Sequence, residues 1–145
     1  MKPDFDYQSV PYDFAHCLNE RCERAGQCLR RQVALLLTSD RKFVQIVNPL
    51  NTGSTGGNCA HFKEDRLLRY AQGMVHLYDK LTCLEAAEVK SAVYDYLGRN
   101  MYYRSRNGRR LITPEEQTFI RKAFRRAGIQ VEPVFDSYRE EYNWE

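Results

Sequence analysis

Met101-Tyr102-Tyr103-Arg104-Ser105-Arg106-Asn107-Gly108-Arg109-Arg110-Leu111-Ile112 runs directly into Thr113-Pro114-Glu115-Glu116. Asn-Gly is the preferred centre of a two-residue type I′ hairpin turn, because both central residues need positive φ. That register pairs Arg106 with Arg109, Arg104 with Leu111 and Tyr103 with Ile112. Strand alternation then points Met101, Tyr103 and Ile112 towards a core and puts Tyr102, Arg104, Arg106 and Arg109 on the other face. Arg110 falls on the apolar side, close enough to the turn to reach water. The residues that follow start a helix by rule: Thr113 as N-cap, Pro114 in the first position and Glu116 in the third. Phe119, Ile120, Ala123, Phe124 and Ala127 supply its buried face, and Gly128 ends it. A strand pair feeding a capped helix predicts an α+β arrangement.

The preceding segments add helices. Residues 63–80 read as amphipathic, with Leu67, Ala71, Met74, Tyr78 and Leu81 on one face and Lys63, Asp65, Arg66 and Arg69 on the wet side. Thr82-Cys83-Leu84-Glu85 is a second capping box, and its helix runs to about Leu97 before Gly98. Cys83 lies in the first turn, where a helix N-terminus activates a thiol; a buried, inert cysteine is the commoner case. Further upstream, Cys28, Leu29, Val33, Leu36 and Leu37 predict a short helix over 27–37, and Phe43–Val47 a short strand. The expected fold is therefore a helix-rich α+β single domain with three to four helices, a short strand near 43–47 and a β-hairpin at about 101–112. Residues 1–15 form an aromatic N-terminal arm, 16–62 a loop-rich part with cysteines, 63–128 the helices and hairpin, and 129–145 an acidic tail. The rings Phe135, Tyr138, Tyr142 and Trp144 suggest that this tail docks.

The loop-rich part carries the densest chemistry. Cys17, Cys22 and Cys28 follow a C-x4-C-x5-C spacing, and Cys59 comes after Asn51-Thr52-Gly53-Ser54-Thr55-Gly56-Gly57-Asn58. Four thiolates suit Zn²⁺ or an iron–sulfur cluster, both soft enough to prefer sulfur. The spacing is looser than the paired C-x2-C of a zinc ribbon and does not choose the metal. His61 is a substitute ligand, since Cys59-Ala60-His61 puts both side chains on one side of an extended segment; His16 flanks the cluster at its other end. The plainer alternative is that the cysteines pack as small apolar residues. The glycine-rich stretch lacks the Lys-Ser/Thr of a phosphate loop and reads as a loop that delivers Cys59.

Charge is arranged unevenly. The net charge is +3, yet Arg99–Arg126 holds nine basic residues against Glu115 and Glu116, whereas Val131–Glu145 holds five acids against Arg139. Tyr102, Arg104, Arg106 and Arg109 on the hairpin, with Arg121, Lys122, Arg125 and Arg126 on the last helix, form a candidate nucleic-acid surface. Arginine binds phosphate and stacks on bases, and tyrosine offers a platform. A solvated basic face neutralised by the acidic tail is the bland alternative. No helix-turn-helix, RNP motif or paired-histidine finger is visible.

At 145 residues the chain is long enough to bury a core. No apolar run reaches the length of a membrane span, and the first residues lack the pattern of a secretion signal, so the expected location is cytoplasmic and no membrane partner is expected. Five cysteines there read as thiols or ligands. An enzyme is the least supported reading: there is no acid pair, Ser–His–Asp set or nucleotide fingerprint, and Cys59 with His61 as nucleophile and base is an alternative that rests on closeness in sequence.

The chain resembles an uncharacterised family of small proteins from gut Bacteroidales. The resemblance rests on Asp6-Tyr7, His16-Cys17-Leu18-Asn19 with Cys22 and Cys28-Leu29-Arg30, Cys59 with Phe62, Tyr102-Tyr103-Arg104-Ser105-Arg106-Asn107-Gly108, Thr113-Pro114-Glu115-Glu116-Gln117 and Tyr142-Asn143-Trp144. It covers nearly the whole chain and implies no activity; it makes the four cysteines look like one unit, with Cys83 outside it. The first expectation is a non-enzymatic module with a structural zinc site at Cys17, Cys22, Cys28 and Cys59, binding nucleic acid or an acidic protein surface. The alternatives are an iron–sulfur redox or nucleic-acid-processing protein, and a metal-free interaction or oligomerisation domain.

Overall fold

The Thr113 hydroxyl accepts a hydrogen bond from the Glu116 amide at 3.2 Å, and the Glu116 carboxylate accepts one from the Thr113 amide at 2.9 Å. Thr82 and Glu85 do the same upstream. Both boxes satisfy amide groups that a helix start otherwise leaves orphaned. They begin the two longest helices of the computed structural model, which describes Met1, residues 5–51 and residues 59–144. In chain order the elements are α1 (Leu29–Leu35), β1 (Leu67–Gln72), α2 (Cys83–Leu97), α3 (Arg99–Arg106), β2 (Leu111–Ile112), α4 (Pro114–Arg126) and β3 (Ser137–Tyr142), with 3-10 turns at Tyr7–Ser9, Ala25–Gln27 and Pro49–Asn51. Among the described residues, four helices and a three-stranded sheet of order β2-β1-β3 make the fold α+β. Among the described residues no helix is long and apolar enough to cross a membrane.

The hairpin at 101–112 does not form. Residues 99–106 are helix α3, which starts at Gly98 (φ 73°) with the Tyr102 amide donating to the Gly98 carbonyl at 2.9 Å. Burial decides against the strand reading. Tyr102 and Ser105, three apart, are buried, while Met101 and Tyr103 are 43% and 45% exposed. That is helical spacing, not alternation. Asn107-Gly108 ends the helix instead of turning a hairpin: Asn107 is the C-cap and Gly108 takes φ 68°. Ile112 and Leu111 then pair antiparallel with Ala71 and Gln72 of β1.

The helix expected over 63–80 is likewise replaced, by β1 and a chain of turns. Gly73 sits at φ 77°, and a Cβ there would run into the Asp136 side chain. Asp136 accepts from the Val75 and His76 amides at 3.0 and 3.2 Å, and its own amide donates to the Gly73 carbonyl. A backbone fixed this way cannot continue a helix. At Phe43–Val47 no strand forms either; Ile46 makes an isolated parallel bridge with His16. Phe43 is 86% and Ile46 46% exposed and of the stretch Val47 alone is buried, so the alternating buried face of a strand is not completed. The first helix is shorter than expected because Leu35, Leu36 and Leu37 stay exposed and only Leu29 and Val33 bury.

The described chain divides into two compact units, residues 1–67 with 142–145, and residues 68–141. In the first, Tyr7, Val10, Phe14, Leu29, Val33 and Tyr142 form a core edged by Phe5, Leu67 and Trp144. The terminal aromatics do dock: Trp144 lies 5.0 Å edge-on from Phe14, and Tyr142 lies 5.5 Å from Phe5. In the second, α2 packs on α3 and α4, over a core that includes Met74, Val89, Val93, Tyr102, Ile112, Ile120 and Phe124. Buried Gln117 on α4 donates to the carbonyls of Arg69 and Ile112 at 2.9 and 3.0 Å, tying the helix to β1 and β2.

Candidate nucleic-acid interface

Gly98 lets α3 leave α2 with no intervening loop, and this brings the two helices' side chains together. Tyr94 of α2 lies 5.4 Å from Tyr102 and 6.3 Å from Tyr103, in tilted and edge-on contacts. Such pairs stabilise beyond the area they bury. Beside them is a cavity of about 220 Å³ lined by Tyr78, Lys90, Tyr102, Tyr103 and Arg106. The Tyr102 hydroxyl donates to that of Tyr78 at 3.3 Å. Burial pushes the Tyr78 phenol well above its ordinary range, so it stays protonated at any physiological pH. Lys90 and Arg106 have no ion-pair partner among the described residues. Lys90 and Arg106 thus bring two cations without ion-pair partners among the described residues to the lining of this cavity.

The other basic residues differ in availability. Arg104 and Arg109 are exposed and lack an ion-pair partner among the described residues, as do Lys122 and Arg126 on α4. Arg121 and Arg125 both reach Glu132, at 3.8 and 3.3 Å, so this part of the basic helix is partly neutralised by the acidic tail. Arg110 makes two hydrogen bonds to Glu116, at 2.8 and 2.9 Å, on groups only 20% and 13% exposed. It is a structural brace of the helix start, not a surface cation. Tyr102, expected to offer its ring to solvent, is buried at 1% exposure; Tyr103 presents its ring instead. Tyr78, Lys90 and Tyr103 were not marked by the sequence. Reading 99–106 as helix would have placed Arg99, Tyr103 and Arg106 on one face at i, i+4 and i+7.

The cysteines occupy a different setting. Cys28 is buried at the start of α1, where its neighbours pair with residues 63 and 65. Cys17, Cys22 and Cys59 are half-buried, and Cys83 is exposed. Among the described residues no three His, Cys, Asp or Glu side chains gather as metal ligands, so Cys17, Cys22, Cys28, Cys59 and His61 as placed do not form a zinc or iron–sulfur ligand set. His16 is committed elsewhere: its Nε2 lies 2.8 Å from the Tyr7 hydroxyl and its Nδ1 lies 3.3 Å from the Gln45 carbonyl. The His61 carbonyl accepts from Arg30, which also donates to Ala15 and lies over the Phe14 ring. The glycine-rich residues 52–58 lie outside the described residues.

No curated protein and no solved structure matches the chain. A model of DUF6078, a family of unknown function, matches residues 1–144, and the chain belongs to that family.

Proposed function

We propose that the protein is a binding module that takes single-stranded nucleic acid on the α2–α3 face of the 68–141 unit. The observation that carries this reading is the cavity where unpaired Lys90 and Arg106 meet the exposed ring of Tyr103. Cations that track phosphates beside an aromatic platform are the usual means of binding a single strand without reading its sequence. Arg104, Arg109, Lys122 and Arg126 extend the positive surface, while Arg121 and Arg125 contribute less because Glu132 already pairs with them. The reading assigns no role to the thiols and needs no metal.

The test is the affinity for a short single strand measured at several salt concentrations. Each phosphate contact adds about 0.7 to the slope of log affinity against log salt for a single strand. Lys90→Glu with Arg106→Glu should weaken binding and flatten that slope. Tyr103→Ala should weaken it without changing the slope, by about 1–3 kcal/mol if one base stacks there. Absence of binding at low salt, or unchanged affinity in the double charge reversal, overturns the reading.

A further inference from the structure

Resting on that reading, we infer that the cavity between Tyr78, Lys90, Tyr102, Tyr103 and Arg106 takes a terminal phosphate, so the module grips the phosphorylated end of a strand. Its polar groups converge from three separate segments: Tyr78 from the turns before α2, Lys90 from α2 and Arg106 from the last turn of α3. A recess of about 220 Å³ is smaller than the ~300–1,000 Å³ of a pocket that swallows a whole small molecule. It suits one group at the end of a ligand. A phosphate inside a strand carries a sugar on both sides and a single charge, so it fits a small recess less readily than a chain end does. A terminal phosphate has one substituent, and near neutral pH it carries a charge approaching two.

The donors match that group. The Tyr78 and Tyr102 hydroxyls share one hydrogen bond at 3.3 Å, so one of their two O–H groups is left to donate, and burial keeps the Tyr78 phenol protonated. Arg106 is half-buried and its planar fork can hold two phosphate oxygens at once; Lys90, at the exposed side, adds a point charge. Tyr103 also lines the cavity and is 45% exposed, so its ring stands where the first base beyond the phosphate can stack.

The experiment compares one short single strand in three forms: phosphate at the 5′ end, phosphate at the 3′ end, and hydroxyl at both ends. A phosphorylated form should bind at least about tenfold more tightly, the effect of one additional charge-assisted contact. Inorganic phosphate should compete that advantage away. Lys90→Gln and Arg106→Gln should each remove most of the advantage, lowering affinity for the phosphorylated strand more than for the hydroxyl-ended one, while the melting temperature stays. Tyr78→Phe should reduce it in part. Equal affinity for all three forms overturns the terminal-phosphate inference and leaves the nucleic-acid reading standing. No binding of any form overturns both, and capture of a phosphoserine peptide in its place would identify the cavity as a protein-binding site.

Discussion

The two units of this chain are built on different principles. Residues 68–141 set their helix boundaries by local rules, with two complete capping boxes, a proline at a helix start and glycines at positive φ where segments end, and add distant bonds from Gln117 and Asp136. Residues 1–67 with 142–145 contain a single α-helix of seven residues among those described. Isolated bridges, stacked rings and long-range side-chain-to-backbone bonds do the work there. His16 pairs with Ile46, Cys28 with Glu64, Arg30 spans Ala15 and His61, and the Met1 amino group meets Asp65 at 2.6 Å in a nearly buried ion pair. A region held by local signals tolerates the loss of any one of them. A region held by distant pairs depends on each partner, because an abandoned buried polar group costs more than the bond it made.

The largest expected effect is on thiol reactivity. In the folded protein exposed Cys83 should react with a thiol reagent first, half-buried Cys17, Cys22 and Cys59 next, and buried Cys28 last. Cys28 should lag Cys83 by about a hundredfold or more, because it needs local opening. Rates resolved by mass spectrometry check this. A four-thiolate metal centre would give another pattern: Cys17, Cys22, Cys28 and Cys59 protected as a block and released together by a chelator.

Next in size is Phe124→Ala, which empties the centre of the 68–141 core. The expected loss is about 3–5 kcal/mol, read by circular dichroism in denaturant. Gln117→Ala should cost less, about 1–3 kcal/mol, by leaving the carbonyls of Arg69 and Ile112 without the donor they share. Thr113→Ala should cost about 1 kcal/mol. If Gln117→Ala cost no more than Thr113→Ala, the brace between α4 and the sheet would be dispensable, and the 68–141 unit would be local in its energetics as well as in its signals.

The sequence made the caps legible because a capping box is complete within four residues: Thr82 with Glu85, and Thr113 with Glu116, need no knowledge of the rest of the fold. It made the docking of Phe14, Tyr142 and Trp144 legible through composition. It misled wherever a local signal has two uses. Asn107-Gly108 serves a hairpin or a helix end, and only the burial of Tyr102 and Ser105 chooses. Leu67, Ala71 and Met74 fit a helical stripe as well as a strand and turn, and the choice is made by Asp136, far along the chain, holding the backbone after Gly73. The candidate site suffered from the same ambiguity. Arg106 stands out by charge, but the strand reading exposes Tyr102 instead of Tyr103, and no local signal separates Lys90 or Tyr78 from an ordinary helix-face residue.

The smallest effect expected removes no side chain, and it probes the distant pairs of the first unit. His16 is buried, with Nε2 placed to accept from the Tyr7 hydroxyl and Nδ1 to donate to the Gln45 carbonyl. Both bonds suit the neutral ring. Burial is the main cause that holds its pKa below the ordinary histidine value; backbone contacts at Gln45 and Phe14 oppose this, and the Arg41 and Arg30 charges add to it. The unfolded chain therefore takes up a proton near pH 6.5 that the folded chain refuses until lower pH, and in that window stability falls as pH falls. Trp144, the one tryptophan of the sequence, lies in the aromatic cluster of this unit and reports it by fluorescence. The denaturant midpoint it records should fall between pH 7 and pH 5, and His16→Asn, which keeps polarity without a titrating ring, should flatten that part of the dependence even if it lowers the midpoint throughout. A midpoint that falls equally in both proteins would assign the acid sensitivity to groups other than the buried imidazole.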